Sequence, residues 1–565
     1  MDRENHSRVP SNTDYSKDND TEATPAPSNR PVTDRNNGDN VVPMQKLNSA
    51  TSHVSMERSW SLNDGYSCGA VDEEDTEEAI DREAAAAVAA AGGDESFAVR
   101  WEESDAMNPR NLSSFRKWLI TVIVSLGSLC VTCTSSMYTT TYGQITKEFH
   151  ISRIVATLGL SFFIWGLGIG PLLLGPLSEF YGRRNIYLAS FTVFLLFIIP
   201  CAVAKNVQTM LVCRFFNGVA GSAFLSVAGG TVGDMFDRQH LGPPMMLYTA
   251  SPFVGPVIGP LVGGFVNEFT LWRWSFYVLL IWAGALLVSI VLFVPETYHP
   301  VLLRNKARKL RKETGDDRWI APIEKMQRSV LQTVIRSIYR PILLLILEPM
   351  CLNLCIFSAI LLGILYLFFG AFELVFSHVY GFGLWQCGCT FLGLLVGMVC
   401  AILTDPLWRR NYARLERNHQ EKVGRTDDPQ PEWRLPPAIG GAPLVTIGMF
   451  IFAWTIYPNV HWIGPIIGSA VFAAGMILVY TGIFTFLVDA YPLYAASALS
   501  ANSFARSSFG GVFPLFGIQM YNRLNYHWAT SLLAFLTLAM APFPYIFFRY
   551  GSQIRKKSRY AKSAS

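Results

Sequence analysis

From Trp118 onward the chain repeats one pattern: an apolar run of about 20 residues, a short polar break, then another run. About 20 helical residues cross the roughly 30 Å of hydrocarbon in a bilayer, so each run predicts a membrane-spanning helix. The runs fall at 118–141, 154–176, 185–204, 208–232, 245–267 and 274–294, then at 342–369, 382–404, 437–457, 462–487, 493–519 and 526–548. Six runs thus lie on each side of a hydrophilic stretch. Composition agrees: of 565 residues 51% are hydrophobic and only 16% charged, against roughly 25% charged in an ordinary soluble domain. The expected fold is an all-α membrane protein of two six-helix bundles. Its parts are a tail at 1–115, a first bundle at 116–295, a basic loop at 296–341, a second bundle at 342–548 and a basic tail at 549–565.

Residues 1–115 are of another kind, rich in Ser, Thr, Asn, Asp and Glu, with the block "DEEDTEE" at 72–78. Such a segment cannot bury enough apolar surface to fold, which predicts a disordered acidic tail. It opens on "MDRENHSRVP", without the apolar core of a signal peptide. "RSWS" at 58–61 has the basic residue that phosphorylation sites favour, so the tail's expected partner is a kinase or a trafficking factor. Nine of the ten cysteines lie inside apolar runs, where they read as small packing residues. The chain has neither zinc-ligand spacing nor a GxxxxGK[ST] phosphate loop. No cofactor, no metal, no nucleic-acid partner and no enzymatic activity are expected.

Charge sets the expected orientation. Arg183 and Arg184, the stretch 300–340, the stretch 405–435 and the C-terminal "RKKSRYAKS" fall on one side of the helices. The other side carries only Lys147, Arg153, Lys205, Arg273 and Arg523. By the positive-inside rule the crowded side is cytoplasmic, and both termini with it.

An internal repeat is also visible. Glu179-Phe-Tyr-Gly-Arg183-Arg184 follows the second run, and Asp405-Pro-Leu-Trp-Arg409-Arg410 follows the eighth. Asp234 ends the fourth run and Asp489 the tenth. Two halves repeated in the same membrane orientation are a property of secondary transporters, whose halves rock about a central site. In that setting Gly182 supplies a tight turn. Arg183 or Arg184 would pair with Glu179 locally and with Asp234 or Asp489 across closing helices, a latch that breaks when the cytoplasmic side opens. The plainer alternative is that the arginines only fix topology.

"GPLSEFYGRR" and "LVCRFFNGVAGSAF" resemble signatures of the major facilitator superfamily, and "GPVIGPLVGGF" resembles the fifth-helix motif of its drug:proton antiporters. "WRWSFYV", "PETYHPVLLRNKARKLR" and "YPLYAASALSANSFARSSFGGVFPLF" are similar to the fungal twelve-helix drug:proton antiporter family, over roughly residues 100–560. The resemblance implies the major facilitator fold and export of small molecules, multidrug or xenobiotic, in exchange for protons. It implies a plasma-membrane location, with the vacuolar membrane as the alternative. A polyamine or nutrient transporter of the same fold is the second reading, and a non-transporting membrane receptor the third.

The resemblance also assigns residues. Arg214, inside the fourth run, takes a role in proton coupling; the alternative is a structural one, bonding neighbouring carbonyls. In the fifth helix Gly255, Gly259 and Gly263 recur every four residues and permit close approach, while Pro256 and Pro260 free carbonyls and Gly264 follows; close packing is the bland reading. A guanidinium stays charged, so coupling needs a carboxylate. Glu348 is the leading candidate, with Glu268 and Glu373 behind it. Arg506 in the eleventh run is the counterpart of Arg214 by burial.

Overall fold

The computed structural model describes residues 97–561, apart from 98, 103–104, 238–239, 326–328, 424–429, 557 and 559. The acidic block and the "RSWS" site lie outside the described residues. Every regular element among the described residues is helical. In the first half these are α1 (Ser114–Glu148), α2 (Arg153–Tyr181), α3 (Arg183–Ala202), α4 (Val207–Met235), α5 (Gly242–Phe269) and α6 (Arg273–Phe293). The linking stretch holds α7 (His299–Thr314) and α8 (Val330–Leu347). The second half holds α9 (Pro349–Tyr380), α10 (Leu384–Glu421), α11 (Pro436–Thr455), α12 (Ile463–Ala490), α13 (Ala495–Met540) and α14 (Pro542–Arg555).

Among the described residues twelve helical stretches are long and apolar enough to cross a membrane; they hold all twelve expected runs, the last two within one stretch, and one stretch is additional. The last two expected spans form one helical stretch, Ala495–Arg555, of 61 residues. Straight, it would be about 90 Å long, yet the Tyr494 and Tyr560 rings at its two ends lie 5.2 Å apart. It therefore folds back, and the bend is Asn525, at φ 60° and ψ 161°. That conformation lies in a region otherwise kept almost wholly to glycine, so the bend is a strained one. The added member is α8, which begins in the stretch expected as a loop (296–341) and ends within the run expected at 342–369. Its apolar side chains Leu331, Ile335, Tyr339, Ile342 and Ile346 follow the helical period and are all exposed, while Thr333, Arg336, Ser337 and Arg340 turn to the protein. This amphipathic pattern is that of a helix lying in the membrane interface. It ends at Glu348 (φ −112°, ψ 93°), and Pro349 starts α9.

The halves repeat in their packing. α1 lies against α5 as α9 lies against the first part of α13; α2 lies against α4 as α10 against α12; α3 lies against α6 as α11 against the second part of α13. Between the halves α2 meets α13 and α5 meets α10. Large apolar side chains such as Leu196, Ile281, Leu292 and Phe535 point outward, as lipid solvent allows.

The tail is not wholly without structure. Val99 packs with Leu303, Ala307 and Ala321, with Trp101 and Trp319 against them. The Val99 and Ile320 amides donate to Ile320 and Phe97 carbonyls. Lys306 Nζ donates to Asp105 Oδ2 at 2.6 Å. Desolvation pushes the Asp105 carboxyl up, but the Lys306 ammonium outweighs it and holds it below its usual value. The boundary expected at 115 therefore fails, because apolar residues near 100 match an apolar stripe on α7. Val99→Asp places a charge in this cluster. It is expected to expose residues 97–111 to limited proteolysis while the melting temperature of the helical bundles is unchanged.

Candidate functional site

Between the bundles lies a cavity of about 910 Å³. Its mouth is at the end where the basic stretches gather: Glu179 ends α2, Asp405 and Arg409 lie on the extension of α10, Arg434 precedes α11, and α8 contributes Arg336 and Arg340. Its interior is lined by Phe253 of α5, Tyr366 of α9, Tyr480 and Phe484 of α12, and Asn502 and Arg506 of α13.

At the opposite end the bundles are joined. Ser161 Oγ donates to the Gly511 carbonyl at 2.6 Å, and Trp165 Nε1 to the Ser508 carbonyl at 3.4 Å. Arg153 and Glu373 form an ion pair across the halves. Glu268 Oε2 accepts from the Leu384 amide at 2.8 Å, so a carboxylate of the first bundle caps the first turn of α10. Phe265 and Trp385 rings lie 5.5 Å apart. Glu268 and Glu373, weighed as proton carriers, are thus placed in this closure.

The fifth-helix motif divides between two contacts. A Cβ at Gly255, Gly259 or Gly263 would strike Thr132, Ser136 or Thr140 of α1, also four apart. This face is a close helix seam within the first bundle. Gly264 faces the Leu384 carbonyl and Trp385 of α10, and Gly388 faces the Pro260 carbonyl. Pro256 lines the cavity. The motif therefore combines an internal seam with part of the closure between bundles.

The charges at the basic end depart from expectation. Arg183 is buried; its Nε lies 3.4 Å from Asp234 Oδ2, its Nη1 donates to Ser178 Oγ at 2.8 Å, and it lies over the Tyr298 ring at 4.7 Å. Glu296 accepts from the Arg183 and Arg184 amides at 2.8 and 3.2 Å. Gly182, at φ 93°, makes the one-residue turn, and a Cβ there would collide with Glu296. All these partners belong to one bundle and its following segment. The pair is formed while the cavity is open at the same end, so the expected latch between bundles is corrected to a tie within one.

The second half departs from the expected repeat. No residue between Asp405 and Arg409 takes a positive φ; Trp408 stands where Gly182 does, so α10 continues to Glu421 instead of turning. Asp405 binds Arg409 one turn on, at 2.6 Å, and Arg410 is exposed. Asp489 instead receives Arg434 Nε at 2.7 Å. Arg434 is the counterpart of Arg183: each begins the third helix of its half and reaches the acid ending the fourth. Glu432 and Arg555 add a buried two-point pair at 2.8 and 2.9 Å. The signal for Arg434 was the "WRLPP" helix start ahead of α11.

Arg214 is fully buried and does not line the cavity. Its donors go to the carbonyls of Gly159 at 3.2 Å, Thr134 at 3.0 Å and Ser135 at 3.4 Å, between the Tyr138 and Phe163 rings. Among the described residues no carboxylate pairs with it. This geometry matches the structural alternative: one guanidinium ties α4 to α1 and α2. Glu348 is buried outside the cavity, accepting from Ser558 Oγ at 2.8 Å and Tyr491 Oη at 3.2 Å. Among the described residues no group of three His, Cys, Asp or Glu could hold a metal ion.

Helical halves repeated in parallel around a cavity open at one end define a secondary transporter. Residues 124–514 match the family model of the Major Facilitator Superfamily, and the chain belongs to that family. It is 58% identical to "Efflux pump atB" of Aspergillus terreus, over 81% of this chain and 88% of that one. It is 42% identical to "Probable drug/proton antiporter YHK8" of Saccharomyces cerevisiae, over 83% and 91%. The proton:xylose symporter XylE shares the fold, with a TM-score of 0.55 at 16% identity over 77% of this chain and 97% of that one.

Arg183→Ala strands the Asp234 carboxylate and is expected to cost about 3–5 kcal/mol of unfolding free energy in mixed micelles. Adding Asp234→Asn is expected to recover part of that loss. Equal and additive losses would show that the two side chains are not coupled.

Proposed function

We propose that this chain exports small molecules across a membrane in exchange for protons, by alternating access of the central cavity. The observation that carries the reading is the asymmetry of the cavity: open at the basic end and closed at the other by Arg153–Glu373, Glu268 and the α2–α13 bonds. The two relatives quoted, one named an efflux pump and one a drug/proton antiporter, support the direction and the coupling.

By the positive-inside rule the basic end is cytoplasmic, with both termini; the plasma membrane is the location the family resemblance implies, with the vacuolar membrane as the alternative. The cavity then faces the compartment from which an exporter loads. In this reading Arg183–Asp234, Arg434–Asp489 and Glu432–Arg555 keep each bundle rigid while the bundles rock. Glu179, near the cavity mouth, contributes to loading. The proton carrier is a group the cavity reaches, which excludes Glu348 in this conformation; Arg214 acts by holding α1, α2 and α4 together. Polyamine transport is disfavoured, because five arginines and two carboxylates line the cavity.

In inside-out vesicles, export is expected to follow an imposed pH gradient without ATP and to stop when a protonophore dissipates it. Export indifferent to the gradient would leave a facilitator. Glu373→Gln removes one of the far-end ties and is expected to raise labelling of cysteines placed beside the Ser161–Gly511 contact. Unchanged labelling would remove that ion pair from the closure.

A further inference from the structure

The interior of the cavity is lined by a guanidinium, that of Arg506, that no described carboxylate neutralises. Arg506 stands 11 residues into α13 from the basic end, about 16 Å along the helix and so near mid-membrane. It lies directly below the closure, since Ser508 and Gly511 on the next turn bond α2. Its charged plane lies 4.9 Å from the Phe484 ring and 5.5 Å from that of Tyr480. Its Nε is buried without a hydrogen-bond partner among the described residues, and the guanidinium also interacts with the Tyr480 hydroxyl. No described carboxylate forms an ion pair with it. The cavity's two carboxylates, Glu179 and Asp405, are at the mouth, and Asp405 is engaged by Arg409. Arg214 shares the aromatic neighbours and the lack of a paired carboxylate, but it lies outside the cavity and its nitrogens are taken by three carbonyls.

An arginine cannot neutralise itself by losing its proton, and a charge at this depth is costly unless matched. Beside it Phe253, Tyr480 and Phe484 form a continuous stack, with centroids 5.1 and 5.5 Å apart. Arg340, over the Tyr494 ring, is a further cation on the entry path. From this juxtaposition we propose that the inner cavity is an anion subsite, and that the exported class is organic acids: a carboxylate on Arg506, with a flat apolar body on the Phe253–Tyr480–Phe484 stack. The proposal rests on the exporter reading for direction of movement, but not for binding.

The test is calorimetric titration of the full chain in nanodiscs with three probes of one shape: naphthalene-1-carboxylate, naphthalene-1-carboxamide and 1-naphthylmethylammonium. The carboxylate is expected to bind about tenfold or more tighter than the amide, the increment of a charge-assisted pair, with the ammonium weakest. Arg506→Gln is expected to abolish the carboxylate's advantage while changing amide affinity less than about threefold, and Arg506→Lys to retain part of it. An unchanged melting temperature certifies each variant, and the probe order in the unaltered protein stands without them. Preference for the ammonium or the amide, binding of none of the three, or a carboxylate advantage that survives in Arg506→Gln overturns the proposal. Carboxylate binding without gradient-driven transport would refute the exporter reading alone. Gradient-driven export of cations with no carboxylate preference would refute the anion subsite alone.

Discussion

Hydrocarbon offers no water to accept a hydrogen bond or surround a charge, and the buried Arg183, Arg214 and Arg555 are placed as that constraint requires. Arg214 is permanently charged and fully buried, and it is held by three backbone carbonyls and two aromatic faces. Those carbonyls lie where α1 and α2 pass α4, so satisfying the charge also fixes three helices against one another. The buried acids at the basic end obey the same rule. Asp234 has Arg183, and Glu432 has Arg555. Each tie stays within one half, leaving the contact between halves free to change.

That contact is made of weaker and fewer polar links, together with glycine faces that let backbones touch. Gly264 and Gly388 bring α5 and α10 together at the closed end, while the Gly255, Gly259 and Gly263 face serves the seam with α1. One motif on one helix thus provides an internal joint and a separable one. Rigid halves meeting at a separable joint are the physical requirement for rocking.

Helix count and the two-half plan were legible because hydrophobic run length alone dictates them. What the runs could not show was the break at Glu348 and Pro349 that makes α8 a helix apart from α9; the bend at Asn525 falls where the break between the runs at 493–519 and 526–548 is expected. Arg183 and Asp234 were legible as members of one set of candidate partners, with Arg184 and Asp489, and the structure selects this pair. Asp405 and Arg409 imitated the spacing of Glu179 and Arg183, but without a glycine the helix ran on and the true counterpart, Arg434, lay some 25 residues later. Arg214 and Arg506 looked alike as buried cations. Only their surroundings, carbonyls for one and an open cavity for the other, tell them apart.

The central claim is that two rigid halves exchange one closed end for the other. Distances between spin labels measure this directly, with one pair at Phe269 and Leu524 near the closed end and another at Tyr181 and Leu407 near the basic end. Lowering the pH or adding transported substrate should shift the two distributions in opposite directions, one pair separating as the other approaches. A single distribution at both ends that no proton or substrate concentration shifts would contradict the account.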